Sequence, residues 1–544
     1  MLGSRISDTV RRTLWALGLV RVRAKPGDAS VATGGVLPLT ITLEPRPCCG
    51  TVLGVNSTDD SIISVPREIA VKRNSFRITT VARGDFAGRA EVTIRVEPTS
   101  RFGQGMQRFL SKVSTRLGLG FATANLTVGS RPILIVAPHP DDEALMASGV
   151  IANALTRGEP VKVVIVTNGD NAKGNKKFGL ARQAESVAAM NLLGLQPDDV
   201  IFLGYPGDVH GLLHMINNYL PPGKIYTSIV GSSATYGAHG LGNRDFHSWL
   251  TGEPAPYHAT SLYDDLEVLF KAFRPRHIYA TSRFDEHPAH RAVYYSLVRA
   301  VQSIRLEDPS YAPTLHTTIV HDVTRDCYDD FWESDKSPPR ISMDLVGDDF
   351  WPIAMKYSEN GDSDPNLEFT PPPNLWRTSR TWSDAERMPV PASMQTGNLS
   401  ENLKYQVLQK YTSQLLRYLA PFCKQDEFFW REEPPRGELL ALFPLHLSLH
   451  RGEARVLTVS LVRPGTRMLA VALKSSDEKV LIVPPAVLIQ PGAVTAVFAI
   501  KAGEPGRATV TAILDSPQEL ATVNVDELAY ELTTTDPAHL KSLD

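Results

Sequence analysis

Arg131-Pro-Ile-Leu-Ile-Val-Ala-Pro-His-Pro-Asp-Asp-Glu143 is the stretch whose reading decides the fold. Its first part, Ile133–Ala137, is an unbroken apolar run, the pattern of a strand buried on both faces. Pro138 and Pro140 end the run, because proline cannot donate to a strand ladder. His139, Asp141, Asp142 and Glu143 follow at once, and then a helical pattern from Ala144 to Leu155. Capping of that helix accounts for one acid. It does not account for a histidine and two aspartates packed between prolines. Open α/β sheets place their sites at the carboxyl ends of strands, so the stretch predicts a buried strand that delivers a metal-binding cluster.

Outward from this stretch, residues 130–435 alternate strand and helix. Strands are expected at Ile133–Ala137, Val161–Thr167, 199–203, His277–Thr281 and 317–321, and helices at 142–157, 180–193, 262–273, 290–301 and 399–419. A βαβ series of this kind predicts a central three-layer, Rossmann-like α/β domain with a mostly parallel sheet. Residues 325–398 are rich in Pro, Asp, Trp and Ser and break the series. They read as a long excursion on the substrate side, in the manner of a lid.

An internal repeat frames the central domain. Residues 34–96 align with 452–514 at a constant offset and without a gap; Leu39-Thr-Ile-Thr-Leu43 meets Leu457-Thr-Val-Ser-Leu461, and Gly88-Arg-Ala90 meets Gly506-Arg-Ala508. Short alternating runs broken by Gly, Pro, Asp and Asn predict two all-β Ig-like sandwiches, at 25–129 and 440–530. Neither has a Cys-Trp-Cys framework, so the likeness is one of architecture. The first copy carries an insert at 99–120 between its last two strands. Arg101, Arg108, Lys112 and Arg116 stand there without an acid, while Phe102, Met106, Phe109, Leu110, Val113 and Leu117 recur at helical spacing. A basic amphipathic helix fits, with two readings. It packs against the N-terminal amphipathic segment 1–24 or the central domain, the commoner fate of an apolar stripe. Or residues 101–117 make a peripheral contact with an anionic membrane. Residues 531–544 read as a tail.

The totals narrow the function classes. The chain has 544 residues, too many for one core, and a net charge of −3, which gives no global sign of a nucleic-acid partner. Its four cysteines form no CxxC pair, so neither a disulfide framework nor a cysteine zinc site is expected. No apolar run approaches the ~20 residues of a transmembrane helix. Arg11-Arg12 precedes an apolar stretch from Leu14 to Val20, in outline like a twin-arginine signal, but Arg21 and Arg23 close it early. An amphipathic surface helix is the expectation there, and a cytoplasmic or membrane-peripheral location, with export open.

The second half of the chemistry is Arg283-Phe-Asp-Glu-His-Pro-Ala-His-Arg291, after the strand His277–Thr281. With it, His139, Asp142 and His290 supply three N/O ligands; three such ligands and an open position make a catalytic rather than structural zinc site. Asp141 is placed to act as general base, and His287 to protonate a leaving amine. Zn²⁺ is the expected cofactor, although the same ligands suit other divalent ions.

Pro138-His-Pro-Asp-Asp-Glu143 resembles the A-H-P-D-D-E motif of the PIG-L/LmbE-like zinc-dependent N-acetyl deacetylases, and His287-Pro-Ala-His290 resembles their H-P-D-H. Thr167-Asn-Gly-Asp170, Arg182, Glu185, Gly204-Tyr-Pro206, Lys404, Tyr411, Gln414 and Glu427-Phe428 follow in family order. The resemblance implies ligand roles for His139, Asp142 and His290, a base role for Asp141, and an acid or electrostatic role for His287. Two departures stand out. Ala289 replaces the family's Asp, so that a supporting partner is either missing or supplied by Asp285, and Gly204-Tyr-Pro-Gly-Asp208 replaces G-Y-P-D-G. Arg182, His239 and Asp208 are expected as substrate contacts, His239 within the glycine-rich loop 236–244. Glu143 is given no chemical role of its own; charge at a helix N-terminus or support of the neighbouring site residues accounts for it. The resemblance implies removal of an N-acetyl group from an N-acetylglucosamine-containing glycoconjugate or glycolipid. The competing readings are a deacylase of an N-acylated antibiotic-like or small thiol conjugate, and an inactive carbohydrate- or surface-binding protein.

Overall fold

The computed structural model describes residues 8–16, 19–96, 119, 121–171, 174–208, 211–216, 225–283, 285, 287–320, 386–396, 398–414, 416–423, 426–433, 439–443, 446–464, 466–514 and 517–526. The basic insert, most of the expected lid (321–385) and the tail lie outside these residues.

Helix α1 (Asp8–Ala16) leads into strands β1 (Arg21–Lys25), β2 (Asp28–Ala32), β3 (Val36–Glu44), β4 (Thr51–Ser57), β5 (Ile63–Ser64), β6 (Glu68–Val71), β7 (Arg77–Gly84), β8 (Gly88–Val96) and β9 (Phe121–Gly129). They form two sheets, ordered β1-β3-β7-β5 and β2-β9-β8-β4-β6. Alternation does the folding. In β8 the residues Ala90, Val92, Ile94 and Val96 are buried and their neighbours are not. The Arg-Val-Arg-Ala-Lys run of β1 is a strand of this unit, not the end of the N-terminal segment, because Val22 is buried between its two exposed arginines. Helix α1 is pinned on the same unit by Trp15, whose ring is buried and whose Nε1–H donates to the Pro45 carbonyl (3.1 Å).

The central unit runs β10 (Ile133–Ala137), α2 (Asp142–Thr156), β11 (Val161–Thr167), α3 (Lys176–Leu193), β12 (Val200–Tyr205), α4 (Gly211–Ile216), α5 (Phe246–Thr251), α6 (Ala259–Phe273), β13 (His277–Thr281), α7 (Pro288–Glu307), β14 (Thr314–Thr318), β15 (Glu386–Pro389), α8 (Leu403–Leu408), α9 (Leu416–Leu419) and β16 (Asp426–Glu432). Its seven-stranded sheet has the order β12-β11-β10-β13-β14-β16-β15. The first five strands are parallel; β16 and β15 join antiparallel at one edge. Both faces are buried. Leu134, Val136, Val164 and Ile201 pack in one core with α6 and α7, while Ile133, Ile135, Val163 and Phe202 pack in another with α2 and α3. Each such side chain contributes roughly 1.5–3 kcal/mol relative to exposure, which is why the parallel strands read as continuous apolar runs.

The last unit comprises β17 (Leu439–Phe443), β18 (His446–His450), β19 (Ala454–Leu461), β20 (Leu469–Ser475), β21 (Leu481–Ile482), β22 (Ala486–Ile489), β23 (Thr495–Ala502), β24 (Gly506–Ile513) and β25 (Pro517–Asp526). Its sheets, β17-β19-β23-β21 and β18-β25-β24-β20-β22, repeat the first unit strand for strand. Even backbone angles recur: Gly88 and Gly506 both have φ of 155°, with Ile62 and Val480 filling the space a Cβ would take. The first unit shares one continuous core with the α6/α7 side of the central sheet, and a Cβ on Gly35 would meet the Ala272 carbonyl at 2.1 Å. The last unit is tied on by Arg463, which donates to the Ser303 hydroxyl (2.6 Å), the Ser303 carbonyl (2.6 Å) and Glu307 (2.8 Å).

Three elements differ from expectation. The strand placed at 317–321 is Thr314–Thr318, three residues earlier, paired in register with β13. Residues 386–389, read as part of the lid, are the edge strand β15. The single helix expected over 399–419 is two short helices, α8 and α9. Between them Thr412 and Ser413, weak helix formers, direct their hydroxyls to Glu185.

Candidate metal centre

Strand β10 stops at Ala137 and the chain turns through Pro138-His-Pro into α2. Strand β13 stops at Thr281 beside it, and the following loop ends at His287, the N-cap of α7. The two motifs therefore meet at the carboxyl edge of adjacent parallel strands. His139 Nδ1, Asp142 Oδ2 and His290 Nε2 form a triangle with all three sides 3.2 Å. Three ligands bound at 2.0–2.1 Å to one tetrahedral ion stand about 3.3–3.4 Å apart. The triangle has about that size, it is buried, and its corners are a carboxylate oxygen and two imidazole nitrogens, all of them donor atoms for a cation. These residues fit a divalent metal. His287 lies at the rim, its ring 4.7 Å from that of His139, and the ligand atoms of the three histidines lie within 4.8 Å of one another.

The surroundings hold the triangle in shape. The His139 N–H donates to Asp142 Oδ2 (2.9 Å). Asp285, fully buried, sits 3.0 Å from His290 Nδ1 and accepts from the N–H groups of His287 (2.9 Å) and Val320 (2.8 Å). It is the carboxylate behind the metal-site histidine, the place left open by Ala289. Burial lowers the His139 pKa to about 4, against the opposing pull of Asp142. Burial would lower His290 too, but Asp142 and Asp285 on its two sides outweigh it and hold it at about 10. Burial raises Asp142, and the two histidines more than reverse this, leaving it well below the usual carboxylate range.

Asp141 stands beside the triangle with φ of 134°, in the N-cap position of α2, yet its carboxylate makes no cap bond. Its Oδ2 accepts from Arg182 Nη2 (2.9 Å). Burial raises its pKa to about 8, with Arg182 opposing and Asp142 and Glu143 adding. Glu143, fully buried, accepts from the Asp141 N–H (2.9 Å) and the Tyr411 hydroxyl (2.7 Å). The sequence offers Glu143 either helix-end charge or support of its neighbours, and Tyr411 only a family match; nothing in it joins the two. Farther along the carboxyl edge, Asp170 accepts from the Tyr236 hydroxyl and Asp208 from the Tyr226 hydroxyl.

The expected substrate contacts fall in three different places. Asp208 is at the carboxyl edge, just past β12. Arg182 is buried and turned onto Asp141 (2.9 Å), the Gly169 carbonyl (2.8 Å) and the Pro140 carbonyl (2.6 Å), so its guanidinium is held by the chain beside Asp141. His239 is not brought to the cluster. Its neighbour Gly240 packs on the Val200 carbonyl at the start of β12, on the amino edge of the sheet. A crevice of about 550 Å³ lined by Arg89, Lys162, Asp198 and Trp249 is on that amino edge too, away from the histidines.

A buried His-Asp-His triangle with a carboxylate beside it, at the carboxyl edge of a parallel sheet, defines a candidate metal-dependent hydrolase centre. Residues 134–301 match the family model described as PIG-L: GlcNAc-PI de-N-acetylase, and that segment is a PIG-L family domain. The chain is 30% identical over 118 residues to "Probable N-acetyl-alpha-D-glucosaminyl L-malate deacetylase 2" of Bacillus anthracis, a match covering 19% of this chain and 51% of that protein. The chain thus spans about half the length of this curated relative. Among solved structures, a deacetylase triple mutant from the teicoplanin biosynthetic pathway has 14% identity, covering 56% of this chain and 98% of its own, with a TM-score of 0.29. N,N'-diacetylchitobiose deacetylase from Pyrococcus horikoshii has 15% identity, covering 43% and 70%, with a TM-score of 0.23.

Proposed function

We propose that the chain is a divalent-metal-dependent deacetylase that hydrolyses an N-acetyl group on an N-acetylglucosamine-containing glycoconjugate or glycolipid. The observation that carries the reading is the 3.2 Å triangle of His139, Asp142 and His290, which would hold the metal. Zinc suits this N/O set, as do other divalent ions. When bound, the metal would polarise the acetamide carbonyl and lower the pKa of a water. Asp141 is the base. Burial makes its carboxylate more basic than usual while Arg182 keeps the ionised form accessible. It takes a proton from the attacking water and returns it to the departing amine nitrogen, giving acetate and a free amine. His287 Nδ1 accepts from the Ala289 N–H (3.2 Å), which places the proton of the neutral ring on Nε2. That favours His287 as a hydrogen-bond donor to the oxygen that gains charge. The amino-sugar substrate is supported by the family match and by the deacetylase named for the Bacillus anthracis relative.

The test is acetate release from a panel of N-acetylglucosaminyl compounds, with metal content measured on the same protein. Turnover that stops with chelation and returns with Zn²⁺ supports the reading. Silence across the panel in metal-loaded protein moves the substrate elsewhere. Unchanged metal content in His139→Ala refutes the metal centre. No described helix is long and apolar enough to cross a membrane.

A further inference from the structure

Three features of the site remain without a purpose in that scheme. Asp141 holds a backbone conformation, φ 134° and ψ −34°, that L residues keep only where their surroundings enforce it. Glu143 is a fully buried acid one residue past the ligand Asp142. The turn 411–414, far along the chain, lies where a helix was expected.

Hydrogen bonds join the three. The Tyr411 hydroxyl donates to Glu143 Oε1 (2.7 Å), and Glu143 Oε2 accepts from the Asp141 N–H (2.9 Å). Three residues on, the Gln414 amide lies against Arg182; with its oxygen assigned to that side, the orientation that satisfies both groups, it accepts from Arg182 Nε (2.7 Å) and Nη2 (3.2 Å). Arg182 Nη2 in turn donates to the Asp141 carboxylate (2.9 Å). Between them, the Thr412 hydroxyl (2.7 Å), Ser413 N–H (2.7 Å) and Ser413 hydroxyl (2.6 Å) grip Glu185, one turn along α3 from Arg182. One turn of four residues thus reaches the Asp141 backbone by one route and its carboxylate by another.

Mere packing does not call for this. An apolar pair in place of Glu143 and Tyr411 would fill the same space without desolvating a carboxylate and a hydroxyl. Here the polar chain ends on Asp141, whose backbone is held at a φ of 134°. The Tyr411 hydroxyl donates to one oxygen of Glu143 and the Asp141 N–H to the other, so it serves as acceptor at both.

We propose that Tyr411 is a positioning residue of the catalytic centre: the turn 411–414 latches Asp141 in its reactive conformation, through Glu143 at the backbone and through Arg182 at the side chain. The inference rests on the reading of Asp141 as the base.

The test is Tyr411→Phe, which keeps the ring and removes only the hydroxyl. In metal-loaded protein, kcat for acetate release should fall about 10–100-fold, the range for losing a supporting hydrogen bond. KM and metal content should stay at wild-type values. In an Asp141→Asn background the same change should cause no further fall, because the latch has nothing left to aim. A wild-type kcat in Tyr411→Phe overturns the latch, and so does an equal loss in both backgrounds. Amide hydrogen exchange at Asp141 decides independently of turnover. Faster exchange in Tyr411→Phe supports the latch; equal protection overturns it. Wild-type protein that releases no acetate would refute the proposed function instead, with the exchange result still deciding the latch.

Discussion

Helix α2 carries Asp142 and is broken at Ala147, whose φ of −141° and ψ of 15° are not helical. The break frees backbone groups inside a buried helix. Glu427 accepts from the N–H groups of Gly149 (2.8 Å) and Val150 (2.9 Å), and Lys404 donates to the Leu145 carbonyl (2.9 Å) and to Glu427 (2.7 Å). Lys404 and Glu427 are 1% and 4% exposed, so the pair is dry. Lys404→Met leaves a carboxylate buried against two amides, and Glu427→Gln leaves an ammonium buried against an amide. Removing one member of a buried pair costs about 3–5 kcal/mol. At roughly 2–4 °C per kcal/mol, the unfolding midpoint of the central unit should fall by on the order of 10 °C in either variant. The double variant Lys404→Met/Glu427→Gln restores charge neutrality and keeps an amide oxygen for Gly149. Its deficits are the unpaired Leu145 carbonyl and the Val150 N–H that loses its acceptor, about 1–3 kcal/mol each, with no buried charge left alone. It should therefore lose less than the sum of the two single losses. Differential scanning calorimetry of all four proteins measures this. A double variant that loses the sum of the two single losses, or a Lys404→Met midpoint within about 2 °C of wild type, would falsify the account of the break as a charge-paired splice.

Asp285→Asn removes the carboxylate behind His290 and should weaken metal binding about 10–100-fold, read by competition with a chromogenic chelator; unchanged affinity would mean that Asp285 only shapes its loop. His139→Ala and His290→Ala should each be isolated with little metal and without a gain in melting temperature on adding Zn²⁺, where wild type rises. An equal rise in all three proteins would place the ion elsewhere. His247 offers a pH effect remote from the metal: burial opposes its protonation, but contact with the buried Asp265 (2.7 Å) outweighs burial and raises its pKa above 6.5. A raised folded-state pKa stabilises fully below the unfolded value and is lost as pH rises through the folded one. Wild type should thus lose melting temperature more steeply than His247→Phe above about pH 6.5, and parallel curves would show that the pair contributes nothing.

Periodicity and motif order carried as far as contacts close in sequence allow. The five buried residues of β10 announced a two-sided strand because nothing but apolar side chains fits between α2 and α6. The histidines and Asp142 pointed to a ligand set because no capping need explains them, and the fold brings three of their atoms to 3.2 Å of one another. The two flanking units announced each other, since identical spacing of Gly and apolar residues yields identical strand orders. Where reading stopped, the deciding contact lay hundreds of residues away. Residues 399–419 have a helix's apolar spacing, and only the acids they meet, Glu143 and Glu185, turn 411–414 out of the helix. Arg182 looks like a substrate arm until Asp141, bent to positive φ, is seen taking its charge. Glu143 looks like a helix-end acid until Tyr411 is found above it. In each case the fold pairs a polar residue with another polar residue far away in sequence. The sequence motif names the groups that would hold a metal; the distant turn 411–414 and the splice at Ala147 meet the chain on either side of them, through Glu143 and Arg182 and through Glu427 and Lys404.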